Sequence, residues 1–400
     1  MNHFGRIVLL LLLGVLFFCL VSFNDVLMYT LTVANEMKHN VSEAYSSNFQ
    51  LKMIEDVLPR KANKLLVKQN CSGLVISGRR ETLSRQTGLY KSAFDEEFLS
   101  GINESTNNSL FAVCEFVYTA VSPHFAHAFA QFYRCFSWWN ANANKKPVLL
   151  YDRSLNGGDR HSTQFEAGFL KAMEDVFGVL IQRNFSAPAV RIGKGNFGML
   201  GSVDTQRLRS GIVTFYNLSD ENEGVRGKLQ KNMAVIGVLN RLRTRSIKNP
   251  DDIYLELTRR SLNSSLFRVR PVEYFESKSF LEQVEYFSST DIILTVHGAQ
   301  LTGIPFMPPC GAVVEIMPKD YVVPWYYGEL AIASEIGYSF FSLLNHSQSL
   351  NLTGVDEGYQ TRSRLRAQNF CISFDKIAEG MMEVHEEWKK CTAKFAESHV

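Results

Sequence analysis

The chain has 400 residues, 46% hydrophobic and 20% charged, with a formal net charge of +2. That length is enough for two or three ordinary domains with real cores. A near-neutral balance offers no polycation for nucleic acid, and no low-complexity tract interrupts the globular composition.

The first predicted element is residues 7–23, IVLLLLLGVLFFCLVSF, an uncharged apolar run. At 1.5 Å per residue it spans about 25 Å, suited to a thin early-secretory bilayer. Arg6 precedes it and Asp25 follows, a bias that puts residues 1–6 in the cytosol and the rest in the lumen. The run is read as an uncleaved type II signal anchor of the endoplasmic reticulum or Golgi. A cleaved signal peptide is the competing reading, against a long apolar core and no clear small-x-small site. Two counts agree with a lumen. Asn-x-Ser/Thr triplets start at Asn40, Asn70, Asn103, Asn107, Asn184, Asn217, Asn263, Asn345 and Asn351. Beyond Cys19 in the anchor there are six cysteines, which permits up to three disulfides of open pairing.

Residues 24–65 are polar and mixed, and read as a stem. Residues 66–225 read as one domain. In it, Phe125, Phe129, Phe132, Phe136 and Trp139 recur at helical spacing within an amphipathic helix over 122–139. Residues 146–151 are a buried strand. A second helix is predicted over 163–182, with Phe165, Phe169, Met173, Val176 and Leu180 in one stripe. A polar, glycine-containing stretch near 220–230 marks a boundary. Residues 226–350 then alternate: strand 234–239, helix 250–260, strand 267–272, helix 279–287, strand 291–296, a helical turn 300–306 and strand 312–317. This alternation implies an α/β fold with a parallel, doubly wound sheet, whose ligands sit outside the carboxyl ends of the strands. Residues 351–400 close the chain as a helical segment.

Three features fall at those strand ends. His297, Gly298 and Ala299 follow the strand DIILTV. A glycine there allows a sharp turn and close ligand approach, and a helix start offers free N–H groups to phosphate. The same residues could equally be a tight turn with a satisfied histidine. Arg241, Arg243 and Arg245 follow AVIGVL and would share one side if the chain stayed extended. Glu315 interrupts the buried run AVVEIM and needs a partner, either a ribose hydroxyl or a buried cation. No Asp-x-Asp pair occurs, which favours arginines and helix dipoles over a metal for holding a diphosphate. The glycine pattern at 193–198 matches a dinucleotide fingerprint by letter only. His124 and His127 share a helix face without a third ligand, so zinc is not expected.

The ordered set VIGVLNRLRTRS … FLEQVEYFSSTDIILTVHGAQLTGIPFMPPCGAVVEIMP resembles the carboxy-terminal half of glycosyltransferase family 61. SPHFAHAFAQFYRCF resembles, more loosely, that family's histidine-containing helix. The family usually has Gly where Gln300 stands, Asn where Gly303 stands, and often paired arginines where this chain has Arg241-Leu242. The resemblance implies a GT-B architecture, two Rossmann-like domains facing a cleft. It implies an inverting, metal-independent transferase moving xylose, N-acetylglucosamine or arabinose from a UDP-sugar to a glycan or protein hydroxyl. It places the UDP-sugar at Arg241, Arg243, Arg245, His297, Gly298, Ala299, Gln300, Leu301, Thr302 and Glu315. Asp152, Asp159, His124 and His127 are the candidate bases. No cofactor or metal is implied. A catalytically inactive nucleotide- or glycan-binding relative is the alternative, motivated by Gln300, Gly303 and Leu242.

Overall fold

Ala234–Asn240 has no exposed position in seven residues. A strand covered on both faces reads as a continuous apolar run, and this one lies inside a parallel sheet. The computed structural model describes residues 75–76, 80–82, 110–117, 125–152, 162–186, 189–191, 201–218, 233–264, 267–318, 321–342 and 366–397. The expected anchor at 7–23, the stem, the 193–198 pattern and the boundary near 220–230 lie outside them. Among the described residues no helix is long and apolar enough to cross a membrane.

Strands are numbered in chain order. Two two-residue strands, β1 (Val75–Ile76) and β13 (Cys371–Ile372), pair with each other. A four-stranded parallel sheet has β3 (Phe111–Glu115), β4 (Lys146–Leu150), β5 (Leu180–Gln182) and β6 (Ala189–Arg191) in the order β5-β4-β3-β6. A seven-stranded sheet contains β2 (Arg80–Thr82), β7 (Ala234–Asn240), β8 (Phe267–Val269), β9 (Glu273–Tyr274), β10 (Ile292–Val296), β11 (Ala312–Ile316) and β12 (Gly337–Phe341). Its order is β2-β12-β11-β10-β7-β8, with β9 also beside β7, and only β2 runs antiparallel. The chain goes from β7 out to β8, then returns to β10 on the other side. The strand order therefore reverses between β7 and β10, where open α/β sheets form their ligand crevice.

The helices are α1 (Phe125–Ala141), α2 (Ser162–Phe177), α3 (Ser202–Phe215), α4 (Pro250–Ser264), α5 (Phe280–Ser288), α6 (Trp325–Ala333) and α7 (Phe374–Glu397), with a 3-10 helix at Ala299–Phe306. Two differ from the sequence reading. Helix α1 is buried more completely than an amphipathic surface helix: from Ala126 to Trp139 only His127 is not buried, and Gln131, Arg134 and Ser137 are covered too. It is covered on two sides. Trp139 donates to the Ala112 carbonyl of β3 (3.0 Å), and Tyr133 donates to the Thr302 carbonyl of the 3-10 helix (2.5 Å). Helix α2 stops at Phe177 rather than 182, because Gly178 adopts a left-handed backbone (φ 64°) and its N–H caps the Glu174 carbonyl. Residues 180–182 become the edge strand β5 instead.

The helices of the two sheets meet in an aromatic seam. Phe165 and Phe169 of α2 contact Phe280 of α5 at 4.9 and 6.0 Å, and Phe280 contacts Phe306 at 5.8 Å. Phe129 of α1 packs on both Phe165 and Phe169. These rings belong to one buried cluster that runs without a break across both sets of helices. Two disulfides fix its surroundings: Cys114–Cys135 ties β3 to α1, and Cys310–Cys391 ties the β11 entry to α7. Cys371 is also disulfide-bonded.

Candidate functional site at the reversal of strand order

Parallel pairing sets Leu239 opposite Thr295. Arg241, two residues past Leu239, therefore emerges beside His297, two past Thr295. The loop carrying the arginines is closed by Asn240. Its buried amide donates to the Ile247 carbonyl and its oxygen accepts from the Ile247 N–H, both at 2.9 Å. Glu276 receives the Leu242 N–H (2.8 Å) and Asn369 the Ser246 N–H (2.9 Å). Arg245 takes a left-handed backbone, φ 61°, rare for a side chain of this size. The loop is thus bent, not extended. Arg241 and Arg245 turn inward together, and Arg243 is exposed.

Each inward guanidinium has one buried nitrogen without a hydrogen-bond partner among the described residues. These are Arg241 Nη1 and Arg245 Nε. A buried donor left unpaired costs about 1–3 kcal/mol, more when charged. Burial lowers the pKa of both groups, that of Arg245 to about 10 by burial and then by Arg241, so both stay cationic at neutral pH. Arg366 adds a third positive field at Arg241, Arg245 and His127. Such an arrangement is suited to an anion with several oxygens.

Gly298 makes room for this. Its backbone is extended (φ 174°, ψ 165°), so no special conformation demands glycine. A Cβ there would lie 2.6 Å from Arg241 Nη1. The glycine lets the guanidinium lie against the strand end. The amides of Ala299 and Gln300, first in the 3-10 helix, make no hydrogen bond among the described residues, whereas Leu301 N–H is committed to the Gly298 carbonyl (3.0 Å).

His297 is 5% exposed and Glu315 0%. His297 Nδ1 lies 2.7 Å from Glu315 Oε1, and Tyr338 donates its hydroxyl to Glu315 Oε2. Glu315 therefore reaches the site only through His297, and the expected contact with a ribose finds both oxygens occupied and no exposed surface. The imidazole lies against Tyr321 and Tyr327, at 5.4 and 5.3 Å. Its pKa is lowered by burial, against the raising effect of Glu315 and with a further lowering by Arg245 and Arg241.

Three other expected contacts turn inward. Leu301 is in the core, and the Thr302 hydroxyl donates to the Ala299 carbonyl (2.9 Å). Gln300 donates to the buried Thr295 hydroxyl (2.7 Å). Gly303, set apart as a departure beside the phosphates, faces the seam: a Cβ would sit 2.1 Å from the Phe287 ring.

Of the candidate bases, His124 and Asp159 lie outside the described residues. Asp152, two residues past the end of β4, pairs with Arg183 at 3.7 Å. His127 is half-buried on α1, with Nδ1 3.1 Å from the Tyr326 hydroxyl of α6. Its pKa is lowered by burial and then by Arg366. The rings His127, Tyr326, Tyr327 and His297 form a row with spacings of 5.6, 4.9 and 5.3 Å. The sequence reading missed Asn240, Tyr327, Tyr338 and Arg366. An Asn ending a buried strand just before an arginine cluster was the one available signal. Asn184 and Asn217 are exposed, as glycan acceptors must be. Asn263 lies in α4, and the other six triplets fall outside the described residues. Among the described residues no group of three or more His, Cys, Asp or Glu is placed to hold a metal.

The family Glycosyltransferase 61 matches the chain over residues 52–314. Among solved structures, a glycosyl transferase family 9 protein from Veillonella parvula DSM 2008 is similar at 10% identity. The match covers 69% of this chain and 97% of that one, with a TM-score of 0.31. No curated protein matches in sequence.

Proposed function

The chain belongs to glycosyltransferase family 61 and is a glycosyltransferase, and from that premise we propose that its donor is a UDP-sugar held at the β7–β10 reversal. The observation that carries this reading is the pair of buried guanidinium nitrogens, Arg241 Nη1 and Arg245 Nε, without a hydrogen-bond partner among the described residues. A diphosphate would supply the missing acceptors, and the free amides of Ala299 and Gln300 would complete the cradle. The sugar is of the xylose, N-acetylglucosamine or arabinose type and passes with inversion to a glycan or protein hydroxyl. Arginines, not a divalent cation, carry the developing charge, in keeping with the lack of an Asp-x-Asp pair. The two parallel sheets are read as GT-B halves, residues 66–225 on the acceptor side and 226–350 on the donor side. Residues 7–23 hold the enzyme in the Golgi or endoplasmic reticulum membrane as a type II protein, with the triplets glycosylated in the lumen.

The inactive-relative alternative rested on Gln300, Gly303 and Leu242. Gly303 fills the seam and Gln300 is engaged by Thr295, so neither position speaks against catalysis. Leu242 is 62% exposed at the mouth of the arginine loop. The test is UDP release by the full-length, detergent-solubilised protein from UDP-xylose, UDP-N-acetylglucosamine and UDP-arabinose. At least one donor should turn over, and Arg241→Ala and Arg245→Ala should each lower kcat/KM about 10²-fold or more. No release from any donor, or release indifferent to both substitutions, contradicts the proposal.

A further inference from the structure

We propose that His297 is the proton acceptor for the substrate hydroxyl, held in that role by Glu315 and Tyr338. This rests on the donor-site reading above.

Glu315 is fully buried, and its two oxygens are used by His297 Nδ1 (2.7 Å) and the Tyr338 hydroxyl. A carboxylate only accepts hydrogen bonds. Nδ1 must therefore carry the proton, which leaves Nε2 with a lone pair. No hydrogen bond to Nε2 is made among the described residues. A lone pair cannot donate to a phosphate oxygen, whereas Arg241 and Arg245 can. The two kinds of group thus divide the ligand. The arginines take the diphosphate, and Nε2 takes a hydroxyl hydrogen. A base oriented by a buried carboxylate is the recurring arrangement for activating a hydroxyl.

The groups facing the imidazole fix when it works. They are Glu315 from β11, Tyr338 from β12 through Glu315, Arg241 and Arg245 from the loop after β7, and Tyr321 and Tyr327 from the segment after β11 and from α6. With the site empty, the two arginines oppose an imidazolium. A bound diphosphate offsets their charge and removes that opposition. Donor binding therefore readies the base. In the transfer, the acceptor oxygen bonds to the anomeric carbon and its proton passes to Nε2. The bond from that carbon to the diphosphate oxygen breaks, and its electron pair leaves with UDP. The new imidazolium is held against Glu315. His297 is the catalytic residue, and Glu315 and Tyr338 are positioning residues.

The test uses the full chain in detergent. UDP affinity and UDP release are measured with whichever of the three UDP-sugars turns over and water as acceptor. His297→Gln should keep the Kd for UDP within about threefold and lower kcat on the order of 10²-fold or more. Glu315→Gln should lower kcat and move the acidic limb of the kcat profile to lower pH, because the imidazole loses the carboxylate that raises its pKa. Tyr338→Phe keeps the His–Glu pair and should move that limb the other way, since Glu315 loses a competing donor. A merely structural role would move neither limb. In 15N-histidine-labelled protein, the His297 resonance should show Nδ1–H and an unprotonated Nε2 with UDP bound at pH 7. A protonated Nε2 in that complex overturns the inference, as does His297→Gln losing UDP affinity more than tenfold with kcat intact. If wild type binds no UDP, the donor-site reading falls first. If UDP binds and turns over while His297→Gln keeps kcat, only the present inference falls.

Discussion

The aromatic seam and the sheet-end site share the 3-10 helix Ala299–Phe306, and they differ in the charge and grouping of their unpaired polar groups. In the seam Tyr133 donates to the Thr302 carbonyl, the Thr302 hydroxyl to the Ala299 carbonyl, and phenylalanine rings fill what remains. At the site, two guanidinium nitrogens from the loop after β7 and the first two amides of the 3-10 helix have no hydrogen-bond partner among the described residues. The two glycines show the contrast most sharply. Gly303 is glycine because the Phe287 ring occupies its Cβ position, and Gly298 because a guanidinium does. The core has unpaired groups of its own among the described residues, such as Trp138 Nε1 and Tyr286 Oη, but these are neutral and scattered, whereas at the sheet end they are cationic and grouped.

Substitutions on the two sides should therefore separate stability from activity. The largest effect is expected at the site: Arg241→Ala should lower kcat/KM by about 10²-fold or more while leaving Tm within a few degrees. A collapse of Tm would place Arg241 among the structural residues. Next is Gly303→Asn, which restores the residue usual in the family. Against the Phe287 ring it should destabilise by about 1–3 kcal/mol, read by denaturant unfolding, with UDP affinity of the folded fraction unchanged. Gly298→Ala should do the reverse. The clashing atom is the tip of a flexible arginine, so stability should hold while UDP affinity falls roughly tenfold, about 1.4 kcal/mol. Tyr133→Phe leaves the Thr302 carbonyl unpaired and should cost about 1–3 kcal/mol of stability with kcat intact. The smallest effect concerns pH. The folded-state pKa values of His127 and His297 are both lowered by burial. Their contribution to stability is present above about pH 6.5, the unfolded value, and is lost as pH falls through the folded values. Tm should drop on acidification, less steeply in His297→Gln, and an equal drop would contradict the burial of a neutral His297.

Much of the seven-stranded sheet was legible, because strands buried on both faces announce themselves as apolar runs. The strands at 234–240, 292–296 and 312–316 fall almost where the runs AVIGVL, DIILTV and AVVEIM lie. The capping pair Ser279 and Glu282 starts α5 as its letters suggest. Helices α3 and α6 and strand β12 were not legible. WYYGELAIA is apolar all round and shows no stripe, since α6 is buried on nearly every side. At the site, the arginines and His297 could be read as one sheet edge. Their division of labour could not, because it depends on the bend at Arg245 and on the burial of Glu315 between His297 and Tyr338. The family resemblance assigns Gln300, Leu301 and Thr302 to the ligand. Leu301 and Thr302 are buried, and the half-buried Gln300 spends its side-chain amide on the Thr295 hydroxyl.

The central claim is that the donor's diphosphate completes the unpaired arginine donors where the strand order reverses. A structure of the full-length protein bound to UDP tests it most directly. The account predicts the diphosphate between Arg241 and Arg245 at the Gly298 strand end, with His297 Nε2 free of phosphate. UDP bound elsewhere, such as at the carboxyl ends of β3 and β4, would contradict it.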